Sequence, residues 1–493
     1  MLKLVNNKLV GRVSQGASYN GESIPGQLNT WSIMDTDPND FLKFTYDDIS
    51  SKSWTLYNTY SPIASAIEKR LSFAIGKGLK FKSTPDFETL GITQEEATEW
   101  AKKLQVIIDL AFDELNLYDL QQQIWSTSEI LGDALIQIIP DEEGIIPFAF
   151  KVFSGTDVID YTVDDNSTTL GIILDKYKQP IGFIDKDKKN HYFKKDGNLN
   201  SILWFNQQVA NQFRGYPLAY KIIGNARDHA RLWDSTLQRS VLESLLLGTE
   251  TVNDNIAEQI NVLAAEQKKK NPIANFFSRI SNTKDLGTGN ILKVAAKGNL
   301  QFMDLKTPND RFKSFNDAFL EIISMATAVP VEILMSKYST SYFAARAAHN
   351  DFFKTILRLR TNFVNKVLYP ILTTVVKSLI ANKYIDAIVP EMLNNPIAMR
   401  AALQGQFLGP RIDALNPLQE AQSLILLKDN KILTPSSVAE HYNNDVDYDS
   451  MVEQWQREMS LVEENNTTTK TDTASDAESN PEDLERSKQQ GGH

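Results

Sequence analysis

The sequence predicts a mostly helical α+β protein, and three observations carry that reading. Two runs, about 217–247 and about 343–381, keep a helical apolar period over lengths that ordinary domain helices do not reach. Residues 145–206 instead show short alternating runs split by Asp, Asn, Gly and Pro, the pattern of small antiparallel strands. With 493 residues, 42% of them hydrophobic and 23% charged, the chain allows two to four domains and a sizeable core.

Residues 1–57 are rich in Asn, Ser, Asp and Gly, which predicts an extended arm that orders against something else. A helix begins at Ser61-Pro62 with Ile63, Ile67, Leu71 and Ile75 on one face, and a short strand from Leu79 to Phe81 follows Gly76-Lys77-Gly78. The next helix, about 93–115, opens on Thr93-Gln94-Glu95-Glu96, a capping-box pattern. A third, about 119–132, leads into the apolar run 134–139 and a turn at 140–144.

In the run 217–247, Ile222, Ala226, Ala230, Trp233, Leu237, Val241 and Leu245 form one apolar line, while Arg227, Arg231 and Arg239 lie on other faces. At 1.5 Å per residue such a helix is about 45 Å long. A small α/β segment, 251–306, carries Lys268, Lys269 and Lys270 and two strand candidates around Lys297-Gly298-Asn299. A helix from Arg311 to Ala328 follows, so this module is inserted between two helices. The polar stretch 336–342 then separates Val329-Pro330 from the helix 343–381, which Pro370 should bend because the apolar rhythm continues on both sides. Shorter helices fill 390–462. The tail from Glu463 holds eight acids and three bases, a net charge of −5 that predicts disorder.

Chemistry is scarce. The absence of cysteine excludes disulfides, zinc ribbons and thiol catalysis, and no GxxxxGK[ST] phosphate loop is present. The histidines at 191, 229, 349, 441 and 493 are dispersed, so no catalytic residue, metal site or cofactor is assigned, and His229 and His349 read as solvated or interface positions. Arg346, Arg358 and Arg360 likewise read as inter-subunit or solvated. Asp141-Glu142-Glu143 and Asp164-Asp165 could hold magnesium in a nucleic-acid enzyme, yet turn residues flank them and a solvated turn is the simpler reading. A net charge of −11 disfavours a static nucleic-acid binder. No signal peptide or long apolar span is apparent, which predicts a soluble intracellular protein with no membrane partner. Outsized amphipathic helices, an inserted module and no catalytic constellation point to an assembly component.

Several local patterns then resemble the lambda-like portal proteins of tailed bacteriophages. They are Arg214-Gly215-Tyr216-Pro217-Leu218, Val329-Pro330-Val331-Glu332-Ile333-Leu334, and Tyr338-Ser339-Thr340-Ser341-Tyr342-Phe343-Ala344-Ala345-Arg346-Ala347, similar to the family's Tyr-Ser-x-x-Ser-Tyr-x-x-Ala-Arg signature. Near the C-terminus, residues 412–421 are similar to its Asp-Pro-x-Lys-Glu-Ala stretch, although Asn416 and Gln419 replace the Asp and the Lys. Leu433-Thr434-Pro435 and Trp455-Gln456-Arg457-Glu458 continue the order.

The resemblance implies a ring, usually of twelve copies, at one capsid vertex in the virion, assembled in the host cytoplasm, with a channel through which double-stranded DNA is packaged and ejected. It implies a wing over 58–214 that includes the long kinked helix of 346–400, a stem helix at 215–250, a clip at 251–306 and a second stem helix at 307–330. A tunnel loop over 331–345, a crown at 401–462 and a disordered tail at 463–493 complete the expected order. Lys337, Tyr338, Ser339, Thr340, Ser341 and Tyr342 would then line the channel, and Arg227, Arg231, Trp233 and Arg239 would belong to the stem. Lys268, Lys269 and Lys270 would lie in the clip, where terminase and later head-completion proteins dock. Major capsid and scaffold proteins are further implied partners. The alternatives are the magnesium-dependent enzyme above and another capsid or baseplate adaptor.

Overall fold

The computed structural model describes residues 37–141, 144, 146–160, 168–195, 197–252, 283–285, 290–295, 300–302, 310–338, 342–411, 417–435, 437–438, 451–452 and 454–460, with the short strands Lys3–Val5 and Lys8–Val10. The architecture is α+β and mostly helical. Lys268 to Lys270, Ser339 to Ser341, Asp164, Asp165, Asn416 and the tail after 460 lie outside the described residues.

The first helix, α1 (Pro38–Thr59), corrects the expected arm. Asp37 caps it by accepting from the Asn39 N–H, and Pro38 supplies a preset φ at the first turn. Leu42, Tyr46 and Ile49 recur at helical spacing and are buried, as are Ser50 and Ser53 beside them. The polar composition misled because two of those inward positions are serines; the Ser50 hydroxyl satisfies itself on the Leu131 carbonyl.

Next come α2 (Ser61–Ala74), β1 (Lys80–Ser83), α3 (Gln94–Glu114) and α4 (Leu117–Leu131). Both halves of the predicted capping box form on α3, between Thr93 and Glu96. The strand β2 (Ala134–Pro140) pairs antiparallel with β3 (Phe148–Ser154) on one side and with Ser201–Trp204 on the other. A second, four-stranded antiparallel meander contains Ile172–Leu174 and Pro180–Ile184.

The long helix, α5 (Ile223–Leu245), starts from a 3-10 turn, Leu218–Ile222, and gives way to a strand, Leu246–Val252. That strand is central in a four-stranded sheet: Asn290–Ala295 pairs with it in parallel and Leu300–Phe302 antiparallel. The two strands around Lys297-Gly298-Asn299 are therefore not a hairpin, since the strand leaving α5 lies between them. The sheet returns the chain to α6 (Asp310–Thr327), and a short α7 (Val331–Leu334) follows.

The helix α8 (Tyr342–Phe363) passes through a π-helical turn, Val364–Leu368, into α9 (Tyr369–Ala381). Pro370 has no N–H to return to the carbonyl four residues back, and the Tyr369 N–H reaches Val364 O, five residues back, so the chain steps over the proline without ending the helix. By length and composition Ala344–Ala381 could cross a membrane, contrary to expectation; here Phe352, Ile356, Phe363, Val367, Ile371 and Val375 bury its apolar side in the core. This helical run ends at Ala381, as the apolar period over 343–381 predicts, and a separate short helix spans Pro396–Ala402. The strand Gly405–Leu408 pairs with β1, so the segment expected to begin a crown at 401 is built into the first sheet-and-helix body. One core spans α2, α3, α4 and β2 together with Ile323, Val329 and the α8–α9 run.

Candidate functional site

The residues singled out in the sequence fall on three linked places: a buried clasp at the entry to α5, the paired helices α5 and α6, and the reversal between α7 and α8. The clasp gathers around Arg214, which is 2% exposed. Its guanidinium donates to Asp133 Oδ2 at 2.5 Å, to the Leu170 carbonyl at 3.0 Å and to the Gly155 carbonyl at 2.5 Å, and it lies 4.0 Å over the Tyr46 ring. The Tyr46 hydroxyl donates to the other Asp133 oxygen at 2.7 Å. Burial works against the charge on Arg214 but the opposing Asp133 raises its pKa, and burial foremost raises that of Tyr46, so a charged guanidinium lies over a neutral phenol. Gly155 must be glycine, because a Cβ there would collide with Asp133 and the Tyr46 hydroxyl. Gly215 similarly abuts the Gly132 backbone. The Arg-Gly-Tyr-Pro motif is thus an anchor that fixes the start of α5 to α1, β2 and the sheets.

Farther along α5, the sequence-derived face divides. Ile222 and Ala226 are buried, whereas Trp233 is 49% and Leu237 58% exposed. Past Ala230 the apolar line runs on beyond the chain's own core. Trp233 touches Phe312 of α6 at 5.2 Å between ring centroids. Arg227 and Arg231 are exposed and share Asp228, at 3.3 and 3.9 Å. For Arg239 only its place in α5 is described.

His229 also departs from expectation, being 5% exposed. Its Nε2 lies 3.1 Å from Asn316 Oδ1 and its Nδ1 2.5 Å from the Tyr60 hydroxyl, so both ring nitrogens have a polar partner. Periodicity along α5 gave no signal for this, because Tyr60 and Asn316 come from other segments. Arg360 is likewise buried, donating to the carbonyls of Ala74, Phe73 and Pro410. It satisfies the C-terminal carbonyls of α2, and burial first, then Arg411, brings its pKa down to about 10, leaving it charged at neutral pH. Arg358 is exposed, as expected.

The α7–α8 reversal begins at well-anchored backbone. Arg70 grips Glu129 through two 2.7 Å bonds and gives a third to the Thr327 carbonyl, closing the end of α6. The Ser65 hydroxyl donates to Leu334 O at 2.7 Å. Beyond this anchor Met335, Lys337 and Tyr338 are exposed, and Tyr342 opens α8. Among the described residues no group of three His, Asp or Glu side chains could hold a metal ion.

The described residues thus form a clasped, helix-dominated body whose paired helices α5 and α6 leave Trp233, Leu237 and Phe315 exposed. A family model described as "Phage portal protein, lambda family" matches residues 25–360, more than half of the sequence. The chain belongs to the lambda family of phage portal proteins. Among curated proteins none matches it. Similar solved chains occur in "Neck of native GTA particle computed with C12 symmetry", at 12% identity and a TM-score of 0.42, over 79% of this chain and 91% of that one. Another is in "Virion of native gene transfer agent (GTA) particle", at 13% identity and 0.39, over 79% and 91%. A third is in "Neck of empty GTA particle computed with C6 symmetry", at 14% and 0.35, over 79% and 92%.

Proposed function

We propose that this portal-family chain forms a closed ring whose channel carries double-stranded DNA into and out of a capsid at one vertex, as a structural conduit rather than an enzyme. Membership of the portal family over 25–360 is the observation that carries the reading. In this assignment α5 and α6 are the stem, the sheet between them is the clip, residues 337–342 line the tunnel loop, and the segment after Leu408 is the crown. Terminase, and later head-completion proteins, dock on the clip, where Lys268, Lys269 and Lys270 are the proposed contacts; capsid and scaffold proteins surround the ring.

Two physical features support it. Trp233, Leu237 and Phe315 leave apolar surface exposed on the helix pair, which a neighbouring copy would cover. A conduit must also let DNA slide, so a net charge of −11 and a loop of three small hydroxyls with a single lysine suit it better than a phosphate-gripping surface would.

Ser341→Glu tests the loop assignment. Twelve-fold or similar rings seen by negative stain should still assemble, while DNA packaging or retention in capsids falls. Normal packaging by such rings removes 337–342 from the channel, and a purified protein that never forms rings removes the conduit altogether.

A further inference from the structure

We propose that His349 is a positioning residue for Tyr338, at the entry to the proposed tunnel loop 337–342. The functional half of this rests on the channel reading of the loop; the contact itself does not. α7 ends in a Schellman motif: Ser336 adopts a left-handed φ of 52°, its N–H donates to the Ile333 carbonyl at 3.2 Å, and the Lys337 N–H donates to the Glu332 carbonyl at 3.0 Å. This turn sends the chain off the core into solvent. Left to itself, a tyrosine placed there would sample its rotamers freely.

Tyr338 instead folds back onto α8. Its ring centroid lies 5.6 Å from that of His349, with the planes 36° apart. His349 is in turn 6.1 Å from Phe73 of α2, and Phe73 packs edge-on against Phe352 at 5.0 Å. Phe352 is 1% exposed. Four rings therefore connect a 55% exposed loop residue to the centre of the core. Burial keeps His349 below its ordinary pKa against the pull of Glu332, so the ring meeting Tyr338 is uncharged at neutral pH. The hydroxyl residues 339–341 follow Tyr338 directly in the sequence.

The test uses the full-length protein with His349→Ala, His349→Phe, Tyr338→Ala and the double alanine variant. Trypsin cleavage after Lys337, followed by mass spectrometry, reads whether the Lys337–Tyr338 segment is held. Loss of the ring pair should accelerate cleavage about five- to tenfold in either alanine variant, with no further gain in the double, at unchanged melting temperature. His349→Phe keeps a ring at the position and should stay near wild type. Unaltered cleavage in His349→Ala, or full additivity in the double variant, overturns the proposal. In packaging, His349→Ala rings should retain less DNA and His349→Phe rings the normal amount. Faster cleavage with normal packaging, in a system where Ser341→Glu is defective, refutes a positioning role. If Ser341→Glu also packages normally, the channel reading has failed and the His349–Tyr338 contact stands.

Discussion

Replacing Arg214 tests whether the motif at the entry to α5 is a structural clasp. In Arg214→Ala the Asp133 carboxylate, which is 0% exposed, keeps the Tyr46 hydroxyl and a long 3.4 Å contact from the Gly215 N–H but loses its counter-charge. Breaking a buried pair in this way costs about 3–5 kcal/mol. The Leu170 carbonyl loses its donor as well, at about 1–3 kcal/mol for a buried acceptor left unmade, while Gly155 O keeps the Val158 N–H at 3.2 Å. Since a domain has a net stability of roughly 5–15 kcal/mol, the variant should be largely unfolded at 37 °C. Graded variants keep the measurement quantitative. Arg214→Lys preserves the charge but lacks the planar fork that reaches Asp133 and two carbonyls at once, so a loss of about 2–3 kcal/mol is expected. Tyr46→Phe keeps the ring under the guanidinium and removes one hydrogen bond, at about 1 kcal/mol. Urea unfolding followed by intrinsic tryptophan fluorescence would rank the three. An Arg214→Ala protein within about 1 kcal/mol of wild type would mean that Asp133 is not an uncompensated buried charge, and the clasp argument would be wrong.

Trp233→Asp and Leu237→Asp should leave the subunit folded, with a loss near 1 kcal/mol at Trp233 for its contact with Phe312, while light scattering shows rings failing to form; unfolding of the subunit itself would place this face in the chain's own core. The Tyr60 pKa is pushed up to about 12 by burial, so the folded state holds its proton more tightly than the unfolded chain, and stability present below pH 10 should decline as pH rises through 12. Tyr60→Phe should flatten that alkaline slope in pH-dependent melting. Thr93→Ala removes the capping box of α3, which is exposed, and should cost about 1 kcal/mol in thermal unfolding with assembly unaffected.

Local order was legible in the sequence wherever one chain segment contains its own reason. The capping box at Thr93 and Glu96, the start of α2 at Ser61-Pro62 and the long apolar rhythm interrupted at Pro370 are of this kind, because caps and helical faces depend on residues three or four apart. The quoted motifs also sufficed to suggest the family. What the sequence could not assign were partners distant along the chain. Arg214 meets Asp133, 81 residues away, and Arg360 meets Ala74, 286 residues away, so neither could be told from a solvated arginine by its neighbours. His229 looked like a surface residue of α5 until Tyr60 and Asn316 closed over both ring nitrogens. Serines at the inward positions 50 and 53 disguised α1 as an arm, and the acceptor that offsets the burial of Ser50, Leu131 O, lies 81 residues away. The reverse holds on α5, where Trp233 and Leu237 continue a regular apolar line. Periodicity determines that this face avoids water, and only the extent of the surrounding core decides that the chain's own residues do not cover it.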